Sequence, residues 1–338
     1  MNASFYEGNH TLSVSDQPIV APTKDEVQVK VAYCGVCGTD MHIFHGMMDK
    51  RVSMPVTIGH EMSGTIEAVG SEVKGFEKGE KVVVRPLDNR AEKASDKGYS
   101  HICKDLKFIG IDSPGAMQQY WNVPAFTLHK LSEQTDLKLA ALVEPLSVAC
   151  HDVRLSKLQA DEVAVVLGGG PIGMLVAMVA KSKGARVIIS EVNPVRLELA
   201  KELGFETVNP AETDVVAFIT QETDGRLADV VYEVAGVQAT VDLMTEIAGI
   251  RSRIVMVAIH GQPKAVNLFQ MFWKELQLIG ARVYEEEDYE EAIALVTANE
   301  LPFEKMITKI APLTNIQSVF EGIDKNPDGM KVLLDCQA

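Results

Sequence analysis

The sequence predicts an α/β protein of two domains, one of them built on a doubly wound parallel sheet. Three observations carry this expectation. At 338 residues the chain exceeds one average domain. From about residue 160 to 285, short β-rich runs alternate with helical stretches, the pattern of parallel strands joined by crossover helices. The first of those runs feeds a glycine turn of the form GxGxxG, which then opens an apolar helix.

Composition excludes several classes. With 46% hydrophobic and 23% charged residues, the chain reads as an ordinary soluble globular protein. A formal charge of −15 argues against nucleic acid, whose bound counterions only a basic surface displaces. No run reaches the apolar length of a membrane span, and MNASFYEGNHTLSV lacks the basic and apolar blocks of a signal peptide. Five cysteines, odd in number and without disulfide-like spacing, point to a reducing cytoplasm. The chain shows no internal repeat.

In chain order, the first chemistry lies in EVQVKVAYCGVCGTDMHIFHG, where Cys34 and Cys37 form CxxC. That spacing fits a redox pair or half a zinc knuckle, and no second CxxC follows. VTIGHEMSGTIEAVGSEVKGFEKGEKVVV then sets His60 and Glu61 among glycine-punctuated β-rich segments. Next comes VRPLDNRAEKASDKGYSHICKDLKFIGID, polar and loop-like, with Cys103 near its end. Glu144, in LAALVEPLSVACH, is an acid inside an apolar helix-like run. A buried acid needs a partner, and a cation is the strongest available. One thiolate, one imidazole and two carboxylates suit a zinc that keeps one position open for substrate. Each residue alone reads as well as a core cysteine, a hydrogen-bonded histidine or a surface acid, and spacing does not assemble the set.

The central third is more explicit. DEVAVVLGGGPIGMLVAMVAKSKGARVIISEVN is strand, glycine turn, helix and second strand. Gly168 permits the tight turn, Gly170 lets a pyrophosphate approach the backbone, and Gly173 lets helix and strand pack closely. Pro171 and Ile172 complete the turn and open the helix, whose free N–H groups favour an anion. Glu191 ends the next strand, where an acid hydrogen-bonds the adenosine ribose and repels a 2′-phosphate, favouring NAD over NADP. Arg196 packs on the adenine, pairs with Glu191, or is a plain exposed helix charge. ADVVYEVAG, RIVMVAI and LQLIGARV read as further strands and ATVDLMTEIAGI as a helix. Ligands bind at the carboxyl ends of such strands, which brings Ala235, Ala258 and Arg282 toward the nicotinamide half.

Taken together, CGVCGTDMH, GHEMSGTIEAVG, VEPLSVACH and GGGPIG, in that order, are similar to the zinc-dependent medium-chain alcohol dehydrogenase family. The best fit is its polyol and secondary-alcohol branch, with sorbitol, butanediol and threonine dehydrogenases. The resemblance spans essentially the whole chain. It implies a GroES-like β-rich catalytic domain from residues 1–147 and 288–338, with a Rossmann NAD-binding domain, 148–287, inserted. It places Cys37 (not Cys34), His60, Glu61 and Glu144 around a catalytic zinc, with Asp40 behind them. Thr39 and His42 match the proton relay, and Glu61 counts among the catalytic residues. Glutamate at position 144, where enzymes of simple primary alcohols often carry cysteine, points to the polyol branch.

The implied activity is reversible oxidation of a secondary alcohol to a ketone with NAD, on a small-molecule polyol or diol. The implied assembly is a homo-oligomer, dimer or tetramer. Many members hold a second, structural zinc with four cysteines in the segment after GEKVVV. Here only Cys103 remains, and Asp88, Glu92, Asp96 and His101 read as a solvated charge run, so one zinc per chain is expected. Cys34 and His45 are left structural. Phe44, Met47, Met48, Phe108, Trp121 and Phe272 are the pocket-lining candidates. The rivals are a zinc-free enone or quinone reductase on the same fold and a non-enzymatic NAD-binding protein.

Overall fold

The structure, a computed structural model, describes residues 1–326 and 328–338. It divides into two compact units, Met1–Glu144 with Glu285–Ala338, and Pro145–Tyr284. The sequence boundaries lay three residues later at each crossing.

In the discontinuous unit, a seven-stranded sheet runs Ile307–Pro312, Lys331–Asp335, Glu26–Gly35, Glu61–Val69, Lys81–Val84 and Leu128–Lys130, and Tyr120–Pro124 also pairs with Glu26–Gly35. Val27, Val29 and Val31 alternate into the core, as expected of a strand with one face on a hydrophobic interior. Register shifts after Gln28 and Val31 break the pairing of Glu26–Gly35 with Glu61–Val69, a device that bends strands. The final strand runs antiparallel to Glu26–Gly35, with Leu334 opposite Cys34. The C-terminal segment is thereby brought beside the cysteine motif.

The continuous unit holds six parallel strands ordered Glu206–Val208, Arg186–Ser190, Val163–Leu167, Ala228–Glu233, Ala248–Met256 and Gln277–Gly280. Chain direction across the sheet therefore reverses between Val163–Leu167 and Ala228–Glu233, the switch point of a doubly wound fold. Every residue of Val163–Leu167 is buried, which explains its unbroken apolar run.

Two segments differ from their sequence reading. ATVDLMTEIAGI is not helical throughout: the helix Gln238–Ile247 gives way at Ala248 to a strand that continues to Met256. Ala248 pairs with Ala228, and a Cβ on Gly249 would lie 2.4 Å from the Arg226 carbonyl. Tertiary pairing thus overrides local helical preference. The segment 84–112 is not a plain loop either, since Leu87–Asp88 pairs with Lys107–Phe108 and two 3-10 turns lie between them. Among the described residues no helix is long and apolar enough to cross a membrane.

Candidate metal and dinucleotide sites

The metal site grows out of sheet register. Gly35 pairs with Glu61, so Glu61 arrives beside the turn that carries Cys37. A side chain at Gly35 would put its Cβ 2.3 Å from Glu61 Oε2, so only glycine leaves room for that carboxylate. Cys37 caps the helix Gly38–Phe44 in an extended conformation, and its N–H donates to Asp40 Oδ2 at 2.8 Å. His60 directly precedes Glu61, with its Nδ1 3.7 Å from Asp40 Oδ1. The ring of Phe108 meets His60 edge-on at 5.1 Å.

Ligand atoms of Cys37, His60 and Glu61 lie within 4.8 Å of one another. His60 Nδ1 and Asp40 Oδ1 are buried without hydrogen-bond partners. Burial pulls the His60 pKa down, but the charges of Asp40, Cys37 and Glu144 outweigh it and hold the pKa well above the usual value. A largely buried set of thiol, imidazole and carboxylate fits a zinc ion.

Glu144 is buried but stands outside that 4.8 Å group. Its charge is nonetheless felt by His60, Lys331 and Tyr289. Thr39 and His42 share the helix Gly38–Phe44, and their spacing of three puts them on one face, Thr39 half-buried and His42 exposed. Cys34 points elsewhere, fully buried with Sγ 3.7 Å from the Gly35 carbonyl. His45 pairs with Asp324 at 2.8 Å.

Sequence reasoning missed Lys331. It is 3% exposed, with Nζ 2.7 Å from Glu61 Oε1, 2.5 Å from Oε2 and 3.1 Å from the Val36 carbonyl. Burial lowers its pKa, but Glu61 and Cys37 raise it further, so the ammonium stays charged. The available signal was one lysine opening an otherwise apolar strand, KVLLD; its partner lies 270 residues away.

Of the pocket candidates, Phe108 contacts the metal site. Phe44 packs in the core against Phe320, and Trp121 is buried with its indole N–H donating to Pro114. Met48 packs on the core, while Met47 is exposed. Phe272 belongs to the other unit and is exposed, on a helix, Leu268–Trp273, that turns Met271 rather than Phe272 toward the core.

The segment 84–112 is closed by polar contacts. Asp96 accepts from the Lys93 N–H at 2.8 Å and the Lys104 N–H at 3.4 Å, and Lys93 pairs with Asp105. Asp88 takes Arg90 in a two-bond pairing. His101 is buried, which corrects its inclusion in the solvated charge run, and Cys103 is buried as well.

In the continuous unit, Gly168 has φ +109° and Gly170 caps the helix Pro171–Ser182, with Pro171 at its first position and Ile172 half-buried. A Cβ on Gly173 would stand 1.9 Å from the Gly168 carbonyl oxygen. Glu191 Oε2 accepts from the Gly169 N–H at 2.8 Å, and Oε1 accepts from Val192 and Asn193 at 2.7 and 2.8 Å. This carboxylate therefore binds the glycine turn to the next strand's end as well as lying where a ribose is expected. Arg196 sits 3.9 Å from Glu191 Oε2. Ala235 adjoins Gly168, Ala258 adjoins Gly236, and Arg282 is exposed just past Gln277–Gly280.

A glycine-turn parallel sheet and a Cys–His–Glu cluster able to hold a metal are the parts a metal-dependent dinucleotide dehydrogenase needs. Residues 23–133 match the model of the alcohol dehydrogenase GroES-like domain, and residues 171–298 that of the zinc-binding dehydrogenases. A 2-dehydro-3-deoxy-L-galactonate 5-dehydrogenase of Pseudoalteromonas atlantica is 55% identical, the match covering 100% of this chain and 99% of that one. An (R,R)-butanediol dehydrogenase of Neisseria gonorrhoeae is 35% identical over 98% of both chains. A Sinorhizobium meliloti structure described as a zinc-binding dehydrogenase bound to NADP superposes with TM-score 0.92 at 30% identity, covering 99% of this chain and 98% of that one.

The chain belongs to the zinc-dependent medium-chain alcohol dehydrogenase family, in its polyol branch. It is an oxidoreductase of secondary alcohols that uses zinc and a nicotinamide dinucleotide.

Proposed function

We infer that the protein oxidises the C5 hydroxyl of 2-dehydro-3-deoxy-L-galactonate, or of a closely related sugar-derived acid, reversibly and with NAD. The observation that carries the substrate is the 55% identity across the full length of the Pseudoalteromonas atlantica enzyme. The Cys37, His60 and Glu61 grouping supports the chemistry.

Cys37 and His60 would hold the metal together with Glu61, which Lys331 tethers. Asp40 lies 3.7 Å behind His60 Nδ1, where a carboxylate would steady a metal-bound imidazole. The chemistry that zinc and the dinucleotide would supply when bound is Lewis acidity toward a substrate hydroxyl and a hydride acceptor. Thr39 would take the hydroxyl proton and pass its own, through the cofactor's hydroxyls, to His42, which would release it to solvent. In a balanced oxidation the C–H bond would break with its electron pair going to the cofactor, the O–H proton would leave through Thr39, and a ketone would remain. Among 2-dehydro-3-deoxy-L-galactonate, (R,R)-butanediol and sorbitol, kcat/KM is expected to be highest for the first by at least about tenfold. A diol or polyol used equally well would overturn the substrate.

NAD rather than NADP is supported by the Glu191 carboxylate, which opposes a 2′-phosphate. NAD is expected to be favoured at least about tenfold. Glu191→Ala removes three backbone hydrogen bonds with the charge, so affinity for both cofactors falls, and the informative quantity is the NAD/NADP ratio. Equal efficiencies in the unsubstituted enzyme would exclude this role.

A homodimer is the proposed assembly, acting in the cytoplasm. Gln277–Gly280 is an edge strand with Leu278 exposed, and beside it Phe272 and Trp273 are 77% and 70% exposed. An unpaired edge flanked by apolar side chains fits a second copy of itself. Light scattering is expected to give twice the chain mass, and Trp273→Glu to give monomers; a monomer before substitution contradicts the assembly. Recovery of the native protein from a secreted fraction would contradict the compartment.

A further inference from the structure

We propose that His260, held by Glu233, positions the nicotinamide-side half of the dinucleotide. Glu233 ends the strand Ala228–Glu233 and is 0% exposed. Its Oε1 accepts from the Gly236 N–H at 2.8 Å and the Thr240 hydroxyl at 2.6 Å. Its main-chain carbonyl accepts from both Val257 and Ala258 at 3.0 Å. One residue thus ties together the two turns beyond Ala228–Glu233 and Ala248–Met256. Its other carboxylate oxygen, Oε2, is buried and makes no hydrogen bond. The nearby partner is His260 Nε2 at 3.2 Å, off the hydrogen-bond axis, and both His260 ring nitrogens are shielded and unbonded.

Leaving a buried carboxylate half-satisfied costs free energy, and so does an imidazole with neither nitrogen paired. Turning the ring so that Nε2–H points at Oε2, 3.2 Å away, would satisfy two of the three atoms. Nδ1, shielded in this structure, is then left with a lone pair that lacks a donor, and the same turn of the ring is what would bring it to a ligand.

Its place in the sheet says which donor. Dinucleotides lie across the switch point, with the pyrophosphate on the glycine turn. Here the adenosine side runs toward Glu191, so the other side runs over the ends of Ala228–Glu233 and Ala248–Met256. The spacing is continuous: a Cβ on Gly168 would lie 3.2 Å from the Cβ of Ala235, and one on Gly236 would lie 3.3 Å from that of Ala258. His260 follows Ala258 by two residues. A ribose hydroxyl or carboxamide N–H on the nicotinamide side supplies the missing donor.

Calorimetry with NADH and with ADP, which lacks that half, tests the assignment without turnover. His260→Ala is expected to weaken NADH about tenfold, the scale of one such hydrogen bond, and to leave ADP within about twofold. His260→Asn, which keeps an acceptor at the reach of Nδ1, is expected to recover most of the NADH affinity. Unchanged NADH binding in His260→Ala overturns the proposal. So does an equal loss for ADP, which would mark a structural role for the side chain.

Discussion

Replacing Cys37 or His60 with alanine is expected to lower turnover at least about a thousandfold, roughly 4 kcal/mol of transition-state stabilisation. Metal analysis is expected to show about one zinc per chain before substitution and little after it, because three clustered donors become two. NADH binding is expected to survive, since Gly168–Gly173 and Glu191 belong to the other compact unit. Cys103→Ser is expected to retain the zinc. Its neighbourhood is closed by Asp96 and by Lys93 with Asp105, so no metal is needed to hold that segment. An alanine variant with full zinc and normal rate would remove Cys37 or His60 from the ligand set. Two zinc ions per chain, one of them lost in Cys103→Ser, would restore a structural site to the segment.

The second large effect falls on the dinucleotide unit. Gly173→Ala puts a Cβ 1.9 Å from the Gly168 carbonyl oxygen, 3.0 Å from the Gly168 carbonyl carbon and 3.3 Å from Val166 Cγ1. Two of these contacts are backbone, so the helix must move off the turn that it opens. Overpacking of this kind is expected to cost about 2–3 kcal/mol in urea unfolding. NADH affinity is expected to fall at least about a hundredfold, because displaced helix N–H groups no longer meet the pyrophosphate. Gly261→Ala is the control: nothing lies within 4 Å of its Cβ, and stability is expected to stay within about 0.5 kcal/mol. If Gly173→Ala behaves like the control, the close approach of helix and turn is not what shapes the cradle.

Local motifs were legible because their partners are chain neighbours. The glycine turn, its flanking strand and helix, and Glu191 lie within one short stretch, and the geometry that joins them is set by backbone conformation. The strand–helix alternation was legible for the same reason, since burial on both faces writes an unbroken apolar run. Cys37, Thr39, Asp40 and His42 are likewise consecutive on one turn and helix. Their chemical roles came from resemblance, as spacing alone left them open to blander readings.

Tertiary structure decided what crosses long separations. Lys331 reaches Glu61 only because the last strand pairs antiparallel with Glu26–Gly35. Glu61 stands beside Cys37 only because Gly35 is its register partner. Glu233 and His260 face each other because parallel strands align their carboxyl ends. None of these pairs has a sequence signature, since a lysine in an apolar strand or a histidine after one can be satisfied in many ways. Register selects among them, and register depends on burying the sheet's apolar face as a whole, a property no single segment carries.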